Sequence, residues 1–396
     1  MAALDIDQIF SDLLAVEGYG LLLIGSAIAF LIAVLVALSV GWFRIILSIA
    51  SFAYPSARVR AMGNPLVTAD GADAVSGSTD LLDLFERVER LGHPIGYGEG
   101  ASADDIERLI RIYYYRMLSD LGSTVPDAIR PLINGYIQIK ECGEVAAILR
   151  GLAGGLPGDL IVRRAVPIGS LTDSVIRKIG HAGNVEESVA RIERAGIFPG
   201  IRNTWMKIGE TSGFVRFESA LSSRVFNSFM VVARGIEDSQ YEPAVMMAGR
   251  LIDIENLGIL VRGRVRGLSP EEIEPFLIAS GGFDISNEKL LDLLRSTDIM
   301  DLGTSLRDTA YGPYIEPLLM DANRTRDTGP IETALSQCML GIGRAISSQY
   351  HLGSGPIIRY IIALHLEMGN LMAVASALLL QVPQEKFTEQ LVVEPS

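Results

Sequence analysis

The side chains that most often do chemistry are scarce in this 396-residue chain and poorly spaced for it. Its four histidines, His93, His181, His351 and His365, form no HExxH pair, and its two cysteines, Cys142 and Cys338, lie far apart, so no metal-ligand spacing or disulfide framework emerges. His351 and His365 would nearly eclipse on one helix, but Gly353, Gly355 and Pro356 interrupt it. A Gly-Lys dipeptide is absent, which excludes a GxxxxGK[ST] phosphate loop. Gly341-Ile-Gly343 begins a GxGxxG-like string, yet Ile346 stands where the third glycine belongs and the surroundings read as helix. Glu271-Glu272 follows Ser269-Pro270 and reads as the first turn of a capped helix, not as an acid/base pair. Tyr113-Tyr114-Tyr115 sends three rings in three directions around a helix, the pattern of core packing. No cofactor is expected. Only five of the 34 basic residues are lysines, and the net charge of −13 argues against a nucleic-acid partner.

The polar residues with the most regular spacing belong to a long internal repeat. Shifts of 112 and then 114 residues superpose KECGEVAAILRGLAGGL from Lys140, IDIENLGILVRGRVRGL from Ile252 and LEMGNLMAVASALLLQV from Leu366. One column holds Glu141, Asp253 and Glu367; three residues on stand Glu144, Asn256 and Asn370; six further come Arg150 and Arg262, with Ser376 breaking the pattern. Apolar columns coincide as well, and Glu218-Ser-Ala-Leu-Ser meets Glu332-Thr-Ala-Leu-Ser. Asp253 and Arg262 lie half a turn out of phase, so they cannot pair on one helix; each reaches a neighbouring repeat or faces solvent. Glycine and proline fall in short clusters between helical periodicities, and strand-like alternation is scarce. The expected class is therefore all-α: three related helical-bundle repeats preceded by one transmembrane helix.

That helix is expected at residues 18–43, an uncharged apolar run of which about 24 residues make roughly 36 Å of helix, against a hydrocarbon core of about 30 Å. Asp5, Asp7, Asp12 and Glu17 precede it, which is the wrong start for a signal peptide. Arg44, Arg58 and Arg60 follow it, so the positive-inside bias puts the bulk of the chain in the cytoplasm of a single-pass membrane protein in contact with lipid. The expected organisation is an acidic extracytoplasmic tail at 1–17, the span at 18–43, a juxtamembrane segment and linker at 44–78, with 63–78 as loop, and repeats at 79–172, 173–284 and 285–396.

The repeat and its flanks resemble the C-subunit family of the archaeal-type (A/V-type) rotary ATPase or ATP synthase, whose vacuolar members are called subunit d. Tyr54-Pro-Ser-Ala-Arg58-Val-Arg60-Ala-Met62, the stretch from Asp253 through Arg262 to Gly267-Leu-Ser-Pro-Glu-Glu-Ile273, Thr309-Ala-Tyr311-Gly312, and Gly355-Pro356 with Tyr360, Glu367 and Asn370 carry the likeness across residues 54–392. It implies a funnel of three helical domains about a pseudo-threefold axis, seated on the proteolipid (c/K) ring and receiving central-stalk subunits D and F, with no catalytic residues. Arg58, Arg60, Glu141, Glu144, Arg150, Asp253, Asn256, Arg262, Glu367 and Asn370 are the candidates for repeat junctions or interfaces. Two features depart from the family: Leu364, Met372 and Ser376 occupy positions where basic residues are expected, and the transmembrane helix is an addition. A membrane-tethered paralogous scaffold that binds another membrane complex is the alternative reading.

Overall fold

The computed structural model describes residues 19–98, 100–236, 238–296 and 299–394. It divides between Tyr54 and Pro55 into two compact units. The acidic tail expected at 1–17 lies outside the described residues. Numbering only the long helices in chain order, α1 is Tyr19–Met62, α2 Ala103–Thr124, α3 Arg130–Ala153, α4 Phe214–Arg234, α5 Tyr241–Val265, α6 Gly329–Gln349 and α7 Gly355–Leu379. No strand occurs among the described residues; the Ile168 and Leu171 backbones make an isolated bridge.

α1 has 44 residues, of which 19–54 belong to the first unit and 55–62 to the second. In the first unit its stretch Leu23–Val36 is apolar, and Leu23, Ile28, Phe30, Leu31, Ile32, Leu35 and Val36 are all exposed. Large side chains left bare around a helix are stable in lipid, or against another apolar surface, rather than in water. Among the described residues α7 is the helix long and apolar enough to cross a membrane, Leu23–Val36 being a shorter apolar stretch, but 67% of the apolar window of α7 is buried and it serves as a core helix of the second unit.

In the second unit α2 through α7 close on themselves. α2 packs on α3, α3 on α4, α4 on α5, α5 on α6, α6 on α7, and α7 returns to α2. Residues 79–172 thus supply α2 and α3, 173–284 supply α4 and α5, and 285–396 supply α6 and α7. The local sequence explains where these helices start. Ser102 and Asp105 form a reciprocal capping box on α2, while Pro131, Pro330 and Pro356 sit in the first turns of α3, α6 and α7, where a missing N–H costs nothing. The expected helix start at Ser269 is a capping box with Glu272. Apolar side chains at helical spacing, such as Ile106, Ile110, Tyr114, Leu118 and Leu121 on α2, face inward.

One expectation is overturned. Residues 63–78 are not a loop: Pro65–Val67 forms a 3₁₀ turn and Ala69–Ser76 an α-helix, with Leu66, Val67, Ala72 and Val75 buried. Thr68 accepts the Gly71 N–H as an N-cap. Gly71 lets the helix sit directly on the preceding turn, since a Cβ there would lie 2.0 Å from the Pro65 carbonyl oxygen. The small residues that read as a linker are what close packing requires.

Candidate functional site

The repeated acids are interior fasteners of backbone. Asp253 on α5 is fully buried; one of its oxygens accepts the N–H groups of Phe283 and Asp284 at 3.0 and 2.8 Å and the Tyr311 hydroxyl at 2.9 Å. Burial still pushes its carboxyl up to about 6. Gly282 is required beside it, because a Cβ would fall 1.6 Å from Asp253 Oδ1. Glu141 on α3 is 3% exposed, and burial raises it to about 7 against the opposing pull of the Ser170 and Leu171 N–H groups. At Glu367 on α7 the donors come from the far end of the sequence. Leu66 N–H reaches Oε1 at 2.8 Å, Asn64 Nδ2 reaches Oε2 at 2.9 Å, and buried His93 approaches at 3.4 Å.

The second polar column holds loops in a constant register. Glu144 accepts from Val166 N–H, Asn256 from Ile278 N–H and Asn370 from Val392 N–H, each 22 residues downstream. The two asparagines also donate back, to the carbonyls of Ile278 and Val392, and Asn370 donates in addition to the Leu66 carbonyl. Where Glu144 replaces asparagine, its charge is met by the Arg111 guanidinium at 2.5 Å and the Tyr115 hydroxyl at 3.1 Å. All six side chains of these two columns are buried and offer no surface to an outside partner.

The arginines behave differently. Arg150 on α3 pairs with Glu218 on α4, and Arg262 on α5 pairs with Glu332 on α6 at 3.1 Å. Both bridges are partly exposed, and such pairs contribute about 0 to 1 kcal/mol. Ser376 leaves the α7 to α2 contact without the equivalent arginine. That side of the ring is fastened by residues near the C-terminal end of α1: Arg58 donates to Thr124 Oγ1, Ser56 to the Gly353 carbonyl and Arg60 to the His351 carbonyl.

Sequence reading missed several members of this set: Asn64, His93, Arg111, Tyr115 and Tyr311. Their partners lie up to 303 residues away, and no local pattern announces such pairs. Glu218 and Glu332 carried a usable signal, because they share one repeat register with each other just as Arg150 and Arg262 do. The cysteines are buried, and burial pushes both thiols up to about 12, so they are protonated at neutral pH.

Carboxylates, amides and guanidinia that hold backbone and neighbouring helices together define a helical scaffold protein. Residues 55–390 match the family model described as ATP synthase (C/AC39) subunit, and the chain belongs to that family. It is similar to the A-type ATP synthase C subunit of Methanothermobacter thermautotrophicus, 25% identical over 356 residues that cover 90% of each chain. It is likewise similar to the A-type ATP synthase C subunits of Methanocaldococcus jannaschii, at 22% with 84% of each covered, and of Pyrococcus horikoshii, at 23% with 87% of this chain and 91% of the relative covered. The family match begins at Pro55, so residues 1–54 stand outside it.

Proposed function

We propose that this chain is a non-catalytic central-stalk subunit of an A/V-type rotary ATPase or ATP synthase, linking the stalk to the membrane proteolipid ring during proton or sodium transport. The family match over residues 55–390 carries this reading. The closed circuit of six helices supports it mechanically: packed helices joined by buried polar fasteners transmit torque with little compliance. In this reading the repeats are three units around a pseudo-threefold axis, the partners are the c/K ring and subunits D and F, and the bulk of the chain faces the cytoplasm. The apolar part of α1 enters the lipid-filled centre of the ring and turns with it, because a helix outside the ring would sweep past the stator.

Purification of the full-length tagged chain in gentle detergent tests the assignment. Recovery of proteolipid and central-stalk subunits in an ATP-hydrolysing complex is the expected result, and recovery of the chain alone overturns it. Cysteines placed near Leu31 should cross-link to ring subunits; contact only with stator or outer-ring residues would sink the placement of the helix. A paralogous scaffold that serves another membrane complex is the second reading, favoured by Ser376 in the arginine column and by the added segment before Pro55.

A further inference from the structure

The three buried acids of the first polar column are paired unequally. Asp253 takes the Tyr311 hydroxyl from 58 residues downstream, and Glu367 takes Asn64 and the Leu66 N–H from the far end of the unit. Glu141 is met by the backbone N–H groups of Ser170 and Leu171. Its Oε1 is buried without a hydrogen-bond partner among the described residues, on a side chain whose residue is 3% exposed. An acceptor left in that state is costly.

Asp253 Oδ1 also lacks a donor, but Gly282 lies against it so closely that a Cβ there would stand 1.6 Å away. Glu141 instead lines a cleft of about 200 Å³. Ile197, Phe198 and Val225 give the cleft apolar walls, and the exposed Ser170 and Ser228 stand at its rim.

The repeat register accounts for this space. The 114-residue shift that superposes Glu218 on Glu332 also superposes Ile197 on Tyr311, Pro199 on Pro313 and the buried Ile201 on the buried Ile315. Ile197 therefore holds the place of the tyrosine whose hydroxyl serves Asp253. An aliphatic side chain has no donor and less bulk than a phenol, so the exchange leaves an unpaired oxygen and unfilled room beside it.

We infer that this cleft binds a phenol, either free or as the tyrosine side chain of a partner, with its ring against Ile197, Phe198 and Val225 and its hydroxyl donated to Glu141. Such a ligand has the two properties the cleft lacks, an apolar body and one polar handle. Tyr311 and Asn64, which serve the sister acids, are neutral donors, and Arg224 at the rim disfavours a cation in their place. Bound there, the phenol ties Glu141 of α3 to the segment at 196–200, as Tyr311 ties α5 to the segment that follows it.

Fluorine NMR of the full-length chain in detergent, titrated with 4-fluorophenol and with fluorobenzene as its hydroxyl-free counterpart, tests this. 4-Fluorophenol should bind about tenfold more tightly or better, the effect of one hydrogen bond to a buried carboxyl. Ile197→Phe fills the room without a donor and should abolish binding. Ile197→Tyr should abolish it too, and should raise the unfolding midpoint above that of Ile197→Phe because it pairs Glu141 from within. Glu141→Gln keeps the shape of the wall, removes the charge and should shrink the preference for the phenol. If binding is lost in the chain purified with its ATPase partners, the occupant is a partner's tyrosine; if it persists there, the occupant is a free phenol. Equal affinity for the two probes, or 4-fluorophenol binding that survives Ile197→Tyr and Glu141→Gln unchanged, means that the cleft holds water only and overturns the inference.

Discussion

Replacing Asn370 by leucine tests whether the second polar column is what fastens the body. Asn370 makes three buried hydrogen bonds, to Val392 N–H at 2.9 Å, to the Val392 carbonyl at 2.8 Å and to the Leu66 carbonyl at 2.9 Å. Leucine fills similar volume but strands one backbone donor and two acceptors, each costing about 1 to 3 kcal/mol when buried without a partner. With partial relaxation the loss should be roughly 3 to 6 kcal/mol. Asn256→Leu strands only the donor and acceptor of Ile278, so its cost should be about two-thirds of that. Residues 55–396 form the compact unit concerned, and at about 2.1 cal/mol/K of unfolding entropy per residue each kcal/mol lowers the midpoint by roughly 1.4 °C. Thermal unfolding of the full-length chain in detergent, followed by circular dichroism, should therefore show a fall of about 4 to 8 °C for Asn370→Leu and about 3 to 6 °C for Asn256→Leu. A loss under 1 °C in both, or a larger loss at position 256 than at 370, would refute the role assigned to these bonds.

The remaining predictions concern charge, close packing and the first unit. Burial raises Glu141 from its ordinary 4.5 to about 7, so the folded chain binds this proton more tightly than the unfolded chain. Its contribution is complete below pH 4.5, declines between pH 4.5 and about 7 and is lost above; Glu141→Gln should remove that slope, on the order of 2 kcal/mol, from urea titrations at pH 5 and pH 8. Gly282→Ala drives a methyl into Asp253 Oδ1 and should cost about 3 kcal/mol or more, as judged by the urea midpoint, whereas an alanine cost below about 0.5 kcal/mol would show that the loop moves freely. Arg262→Ala removes a half-exposed bridge and should cost no more than about 1 kcal/mol, less at high salt. Deleting residues 1–54 leaves the family-matched unit and should move the chain from the carbonate-resistant membrane fraction to the supernatant; retention in the pellet would deny α1 its anchoring role.

The helical class, the helix starts and the repeat register were legible in the sequence because each rests on short-range physics. Apolar spacing fixes which face of a helix is buried; a proline or a serine-glutamate pair fixes where it begins; and the 22-residue offset from Glu144, Asn256 and Asn370 to their loops repeats with the columns themselves. The sequence also marked the acids of the first column as special, but not what they do. Glu367 could be read as a junction or an interface until folding set Asn64 and Leu66 beside it, and Arg262 could face solvent or a neighbour until α6 brought Glu332 within 3.1 Å.

Only the tertiary structure decided that residues 69–76 are helix, since their small side chains gain stability from the approach of Gly71 to Pro65 and have too little apolar surface to announce it. It alone brought Lys140 of α3 within 3.4 Å of His365 Nδ1 on α7 and close enough to Glu255 of α5 to attract it. Sequence determines what each segment must bury and how it must begin. Which buried donor meets which acceptor, and which glycines face empty space, is set by the closure of the ring, where contacts separated by some 300 residues form together or not at all.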